Sequence, residues 1–113
     1  MLPDQKTIEE LKEKVAPREL HELEIEHAEE IFSLLVAAPT KVEWIKYVSD
    51  LTSTEDPAKK SLAHENFILA VTQWPAREEV KGFLAKKFGV LTELTNQVAE
   101  LVGAGAKVRS KKL

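Results

Sequence analysis

Residues 18–38 read RELHELEIEHAEEIFSLLVAA, and their conformation decides the fold. As a helix, the stretch places Leu20, Leu23, Ile31, Leu34 and Leu35 on one stripe, and Glu, Leu and Ala are good helix formers. As a hairpin, Leu23 and Ile25 alternate with Glu22, Glu24 and Glu26 on a half-buried strand. Residues 31–36, Ile-Phe-Ser-Leu-Leu-Val, then return as a more buried strand, and His27-Ala28-Glu29-Glu30 turns the chain. That turn lacks the glycine or asparagine that tight hairpins favour. Periodicity alone accommodates both readings and fits the helix slightly better.

Outward from this stretch the pattern is helical, with prolines as punctuation. Upstream, residues 5–15 place Ile8, Leu11 and Val15 on one face, Asp4 is suited to accept a bond from a free amide of the first turn, and Pro17 closes the segment. Downstream, Thr40-Lys41-Val42-Glu43 has the form of a capping box. The spacing predicts a helix to about residue 51 with Trp44, Ile45, Val48 and Leu51 inward. After a loop at 53–56, Asp56 and Pro57 suit an N-cap and first helical position. The helix they open is expected to reach about residue 73, burying Leu62, Ala63, Phe67, Ala70 and Val71, before Trp74-Pro75 breaks it. A helix over about 76–87 buries Val80, Phe83 and Leu84, with Lys86 and Lys87 at its negative end and Gly89 as a candidate left-handed cap. The last helix, about 91–102, carries the stripe Leu91, Leu94, Val98 and Leu101 and stops at Gly103.

The 113 residues suit one domain, taken as residues 1–103 followed by a flexible basic tail at 104–113. With 43% hydrophobic and 31% charged residues, the chain can fill a core and solvate its surface. The absence of cysteine excludes disulfides, thiolate nucleophiles and Cys-based zinc sites, and fits a reducing compartment. Residues 1–5 turn polar at once, without a signal-peptide core, and the apolar run at 31–38 is far too short to span a bilayer, so a cytoplasmic protein without membrane association is expected.

The net charge of −3 is unevenly spread. Asp4, Glu9, Glu10, Glu13, Glu19, Glu22, Glu24, Glu26, Glu29 and Glu30 crowd the first thirty residues, whereas Lys107, Arg109, Lys111 and Lys112 stand at the other end without an acid. The basic tail is short and has no aromatic residue to stack on a base, and the overall acidity repels phosphate, so no nucleic-acid partner is expected.

The residues for catalysis are not assembled in any familiar pattern. His64-Glu65 has Ile68 where a zinc-protease helix needs its second histidine. His21, Glu24 and His27 form the only other metal-like grouping, and on a strand His21 and Glu24 face opposite sides. There is no nucleophile elbow, and Gly103-Ala104-Gly105 lacks both the following helix and the Lys-Ser/Thr pair of a phosphate loop. Glu78-Glu79 has a structural explanation at a helix N-terminus. No enzyme, cofactor or metal is therefore expected. The aromatic residues fit a core, but Trp44, Trp74, Phe83 and Phe88 are also the candidate partner-binding residues, because aromatic side chains dominate interface energetics.

The order of landmarks carries a resemblance. Leu11-Lys12-Glu13-Lys14 closes a first helix, and the Glu19-to-Ile25 stretch ELHELEI follows. Then come Ala38-Pro39-Thr40, Glu43-Trp44, a helix ending at Trp74-Pro75, a Phe83-Leu84 helix and Leu101-Val102-Gly103. Over about residues 8–103 the chain resembles the small tail assembly chaperones of long-tailed bacteriophages and related tail-like particles. It departs from them in the missing turn glycine near His27, and in Ala37-Ala38 where a basic residue often precedes the proline. The resemblance selects the hairpin over the helix. It implies an α+β, predominantly helical fold: an N-terminal helix and a β-hairpin followed by a bundle of about four helices. It further implies a non-enzymatic protein that binds the tape measure protein, helps recruit tail tube subunits, and is absent from the finished tail. Many members are also made in a longer, frameshifted form, for which the Lys111-Lys112 codons offer a slippery site. Self-association stays open at this stage. The competing reading is a structural or regulatory interaction domain, either a virion component or a small DNA-binding repressor.

Overall fold

The computed structural model describes residues 2–113 and has an α+β, predominantly helical fold. Helix α1 (Gln5–Val15) leads into strands β1 (Leu20–His27) and β2 (Glu30–Ala37), which form the hairpin rather than the helix that periodicity alone favoured. Helices α2 (Lys41–Thr52), α3 (Pro57–Val71), α4 (Arg77–Lys86) and α5 (Leu91–Glu100) follow. A third strand, β3 (Thr72–Trp74), comes directly off α3, and a single 3₁₀ turn (Phe88–Val90) joins α4 to α5. The antiparallel sheet has the order β1-β2-β3.

The caps are those the side chains predict. Thr7 N–H donates to Asp4 Oδ1 (2.8 Å), and Ala58 N–H donates to Asp56 Oδ1 (2.9 Å) ahead of Pro57. At α2, Glu43 N–H donates to Thr40 Oγ1 (3.1 Å) while Thr40 N–H donates to Glu43 Oε1 (2.9 Å), a complete capping box. The same Glu43 oxygen accepts from Arg18 Nη1 at 3.1 Å, tying the entry to the hairpin to the start of α2.

Cross-strand partners set the two faces of the sheet. Leu23 opposes Leu34 and Ile25 opposes Phe32, and these side chains pack toward the helices. Leu34 and Val36 join Tyr47, Phe67, Ile68, Val71, Val80, Leu84, Leu91, Leu94 and Val98 in one core. On the other face Glu22, Glu24 and Glu26 oppose Leu35, Ser33 and Ile31. Ser33, Leu35 and Ala37 are buried there too, so β2 is covered on both sides, as its nearly unbroken apolar sequence demands.

The structure corrects several details of the expected pattern. Helix α3 stops at Val71 rather than near residue 73, because Thr72 and Trp74 pair with Val36 and Leu35 across an irregular step. Tyr47 faces the core of α2, while Ile45 and Val48 point to solvent. On α3, Ile68 and Leu69 are buried, and Leu62 and Ala70 are exposed. This helix is flanked by α2, α4 and α5, and a helix enclosed on several sides has no single inward stripe for periodicity to reveal. Gly89 lies inside the 3₁₀ turn without a positive φ; the left-handed glycines are Gly103 (φ 95°) and Gly105 (φ 82°). Residues 106–113 are exposed and lack regular structure.

The hairpin turn is Ala28-Glu29, with φ of 51° and 66°. Two successive positive φ values define the tight turn whose twist matches that of the flanking strands. Non-glycine residues enter this region at a cost of about 1 kcal/mol or more each. Replacing Ala28-Glu29 by Asn-Gly is therefore expected to stabilise the chain by about 1 kcal/mol. The gain is read as a higher urea midpoint at unchanged slope, and a lower midpoint would refute this turn geometry.

Candidate protein-interaction surface

The four candidate binding residues fall in two places. Trp44 is half-buried on α2 and belongs to an aromatic group with Tyr47 and Phe67. Tyr47 and Phe67 stack at 4.3 Å and 16°, and Trp44 meets Phe67 edge-on at 5.9 Å. Such pairs add about 0.5–1.5 kcal/mol each beyond the area they bury, so Trp44 has a structural role as a wall of the core.

Trp74, Phe83 and Phe88 lie along one connected strip. A hollow of about 440 Å³ is lined by Leu2, Ile31, Phe32, Trp74 and Pro75 among others. Phe32 also borders the next depression, with Gly82, Phe83, Lys86 and Lys87. Lys87 and His27 carry the strip on to Phe88, Gly89 and Val90. Phe32 and Phe83 form its firm centre, stacked at 4.1 Å with their planes 7° apart. His27 Nδ1 lies 3.1 Å from Lys87 Nζ and fastens the hairpin tip to the end of α4. Ile31 is 55% exposed and Phe88 77% exposed.

Sequence reasoning missed Ile31 and Phe32 as members of this surface. Their positions at the hairpin tip follow from the strand register, which helical periodicity cannot supply. It also missed a second apolar feature. On α2, Val42 (77% exposed), Ile45 and Val48 recur every three residues on the outer face. The apolar spacing alone places Ile45 and Val48 inward with Trp44 and Leu51, and does not mark this outer row.

Tyr47 Oη lies 3.0 Å from His64 Nδ1, on the edge of the aromatic group. Burial pushes the Tyr47 hydroxyl above its ordinary value and holds His64 below its ordinary 6.5, so a phenol and a neutral imidazole share this hydrogen bond near pH 7. Among the described residues no group of three His, Cys, Asp or Glu side chains converges as metal ligands, and no helix is long and apolar enough to cross a membrane.

No protein-family model matches the chain, and no curated protein sequence matches it. A solved structure is similar: an uncharacterised protein, rbstp2171, from Bacillus stearothermophilus. The similarity spans 92% of this chain and 99% of that one, with 24% identity and a TM-score of 0.69. At that identity the likeness establishes the shared fold alone.

Two aromatic residues of the strip separate by stability. Phe88→Ala is expected to change stability by less than about 0.5 kcal/mol. Phe83→Ala, which removes one ring of the stack, should cost about 2 kcal/mol, less than a fully buried phenylalanine would. Urea unfolding of the two variants checks this contrast. His64 generates a pH dependence. The unfolded chain takes up the histidine proton near 6.5 and the folded chain only at lower pH, so stability is flat above that value and falls as pH drops through the folded pKa. His64→Asn should flatten that slope, and an unchanged slope between pH 6.5 and 5 would assign the effect elsewhere.

Proposed function

We propose that this chain works by binding protein without catalysis, as a tail assembly chaperone that covers the apolar stripe of a tape measure protein and helps recruit tail tube subunits. The observation that carries this reading is the strip from Trp74 through Ile31, Phe32 and Phe83 to Phe88. A long amphipathic helix awaiting assembly exposes an aggregation-prone stripe. A shallow apolar surface with exposed anchors at both ends is suited to take such a stripe, with helix residues at i, i+3, i+4 and i+7 as contacts. Glu30 and Glu79 on one part of the rim, and Lys86 and Lys87 on another, give it the mixed polar border that keeps an apolar surface soluble when empty. The hairpin lends further support, because the resemblance to tail chaperones required it where periodicity leaned the other way.

Co-expression with a long helical tape measure protein tests the reading. The partner should become soluble and co-purify with several copies of the chain. Ile31→Ala and Phe88→Ala, both at exposed positions, should weaken capture at least about tenfold while leaving the fold intact. A partner that stays insoluble would overturn the proposal, and a salt-sensitive gel shift with DNA would favour the regulatory alternative.

A further inference from the structure

Strand β1 is the long outer edge of the sheet. Its inner side pairs with β2 over all eight residues, and among the described residues no strand covers its outer side. Beside that edge runs a groove of about 550 Å³ between β1 and α5, with Leu23, Ile25, Val90 and Leu94 on its apolar walls. Glu22, Glu24 and Glu26 stand along its rim. They alternate along the strand, so all three project on one face. Among the described residues none of the three is in an ion pair.

These glutamates restrict what can add to the edge. A second copy of β1 pairing edge to edge would set the glutamate rows against each other, and like charges directly opposite are destabilising. An extended segment with cations at every second residue has the complementary pattern. The chain contains one: Lys107, Arg109 and Lys111, with Val108 between the first two. Residues 106–113 are exposed and irregular, Val108 is 94% exposed, and none of these three cations is in an ion pair among the described residues. Laid along β1 in either direction, the three cations fall beside the three glutamates and Val108 falls beside Leu23 or Ile25, facing Leu94 and Val90. Gly103 and Gly105, both with positive φ, bend the chain as it leaves α5, and none of residues 106–113 lines the groove.

We propose that residues 106–112 of a second copy add as a fourth strand to the free edge of β1. The exchange is reciprocal and makes a closed two-fold dimer. Backbone pairing along the edge supplies the ladder, and the alternating charges set the register. This surface meets the strip assigned to the tape measure partner at Gly89 and Val90, and the substitutions that test each lie outside that overlap, so either proposal can fail alone.

The test is sedimentation equilibrium of the full chain over a range of concentration and salt. A dimer that weakens as salt rises is expected. The tail reversal Lys107→Glu/Arg109→Glu/Lys111→Glu lies outside the packed core and should raise the dissociation constant at least about tenfold, as should Glu22→Lys/Glu24→Lys/Glu26→Lys. Mixing these two variants should restore a dimer that neither forms alone, because each then offers the charge the other lacks. A wild-type chain that stays monomeric at all concentrations overturns the proposal. So does a mixture that fails to associate. Hydrogen exchange then identifies closure of each tail on its own groove, as slow β1 amides in a monomer that the tail reversal makes fast.

Discussion

Burial of β2 on both faces constrains everything around it. From Ser33 to Ala37 every residue of the strand is buried, so its amide and carbonyl groups need partners on both edges. β1 supplies one ladder in full register. The other comes from β3, three residues at the end of α3, with an irregular step between the Leu35 and Val36 pairings. Thr72 serves both elements, since its hydroxyl donates back to the carbonyl of Ile68 (2.7 Å) as the helix ends and its backbone enters the sheet. Helix α3 is thereby fixed at its exit, and its apolar side chains meet both the sheet and the flanking helices.

Glu43 performs a similar service just beyond the C-terminal end of β2. Its carboxylate closes the capping box of α2 and pairs with Arg18, which lies just before β1. The two ends of the hairpin are thus held to one helix start. Arg18 and Glu43 are both partly shielded from solvent, a setting in which an ion pair that also satisfies a backbone amide contributes more than an exposed pair. Glu43 is thus committed to the interior framework, while Glu22, Glu24 and Glu26 remain on the surface.

Local chemistry was the most legible part of the sequence. Asp4, the Thr40–Glu43 pair and Asp56-Pro57 each act within a few residues of themselves, and each caps the helix that its identity indicates. Features that depend on distant partners were not legible from periodicity. Ala28-Glu29 carries no turn signature and is held at positive φ by strands that pair for other reasons. β3 exists because β2 has an edge to fill, and α3 hides its orientation because its apolar residues crowd into Phe67–Val71, where neighbours enclose it on several sides. The same limit applied to the surface. Trp74, Phe83 and Phe88 could be named as aromatic candidates, but Ile31 and Phe32, which connect them, enter only once the hairpin register is known.

The two edges of the sheet are managed in different ways. β3 is only three residues long and is followed by Pro75, which cannot donate a ladder bond, so that edge offers little to a passing strand. β1 is eight residues long and lacks such a block. Its protection is charge: the face that alternates with Leu23 and Ile25 is lined by glutamates, which oppose an identical strand and any acidic one. A charge barrier differs from a steric one in that it discriminates by sign. Proline or a bulge excludes every strand, whereas an acidic row excludes most and admits a basic one. The uneven charge of this chain, acidic at the hairpin and basic beyond α5, is therefore a statement about which strands β1 can accept as well as about solubility.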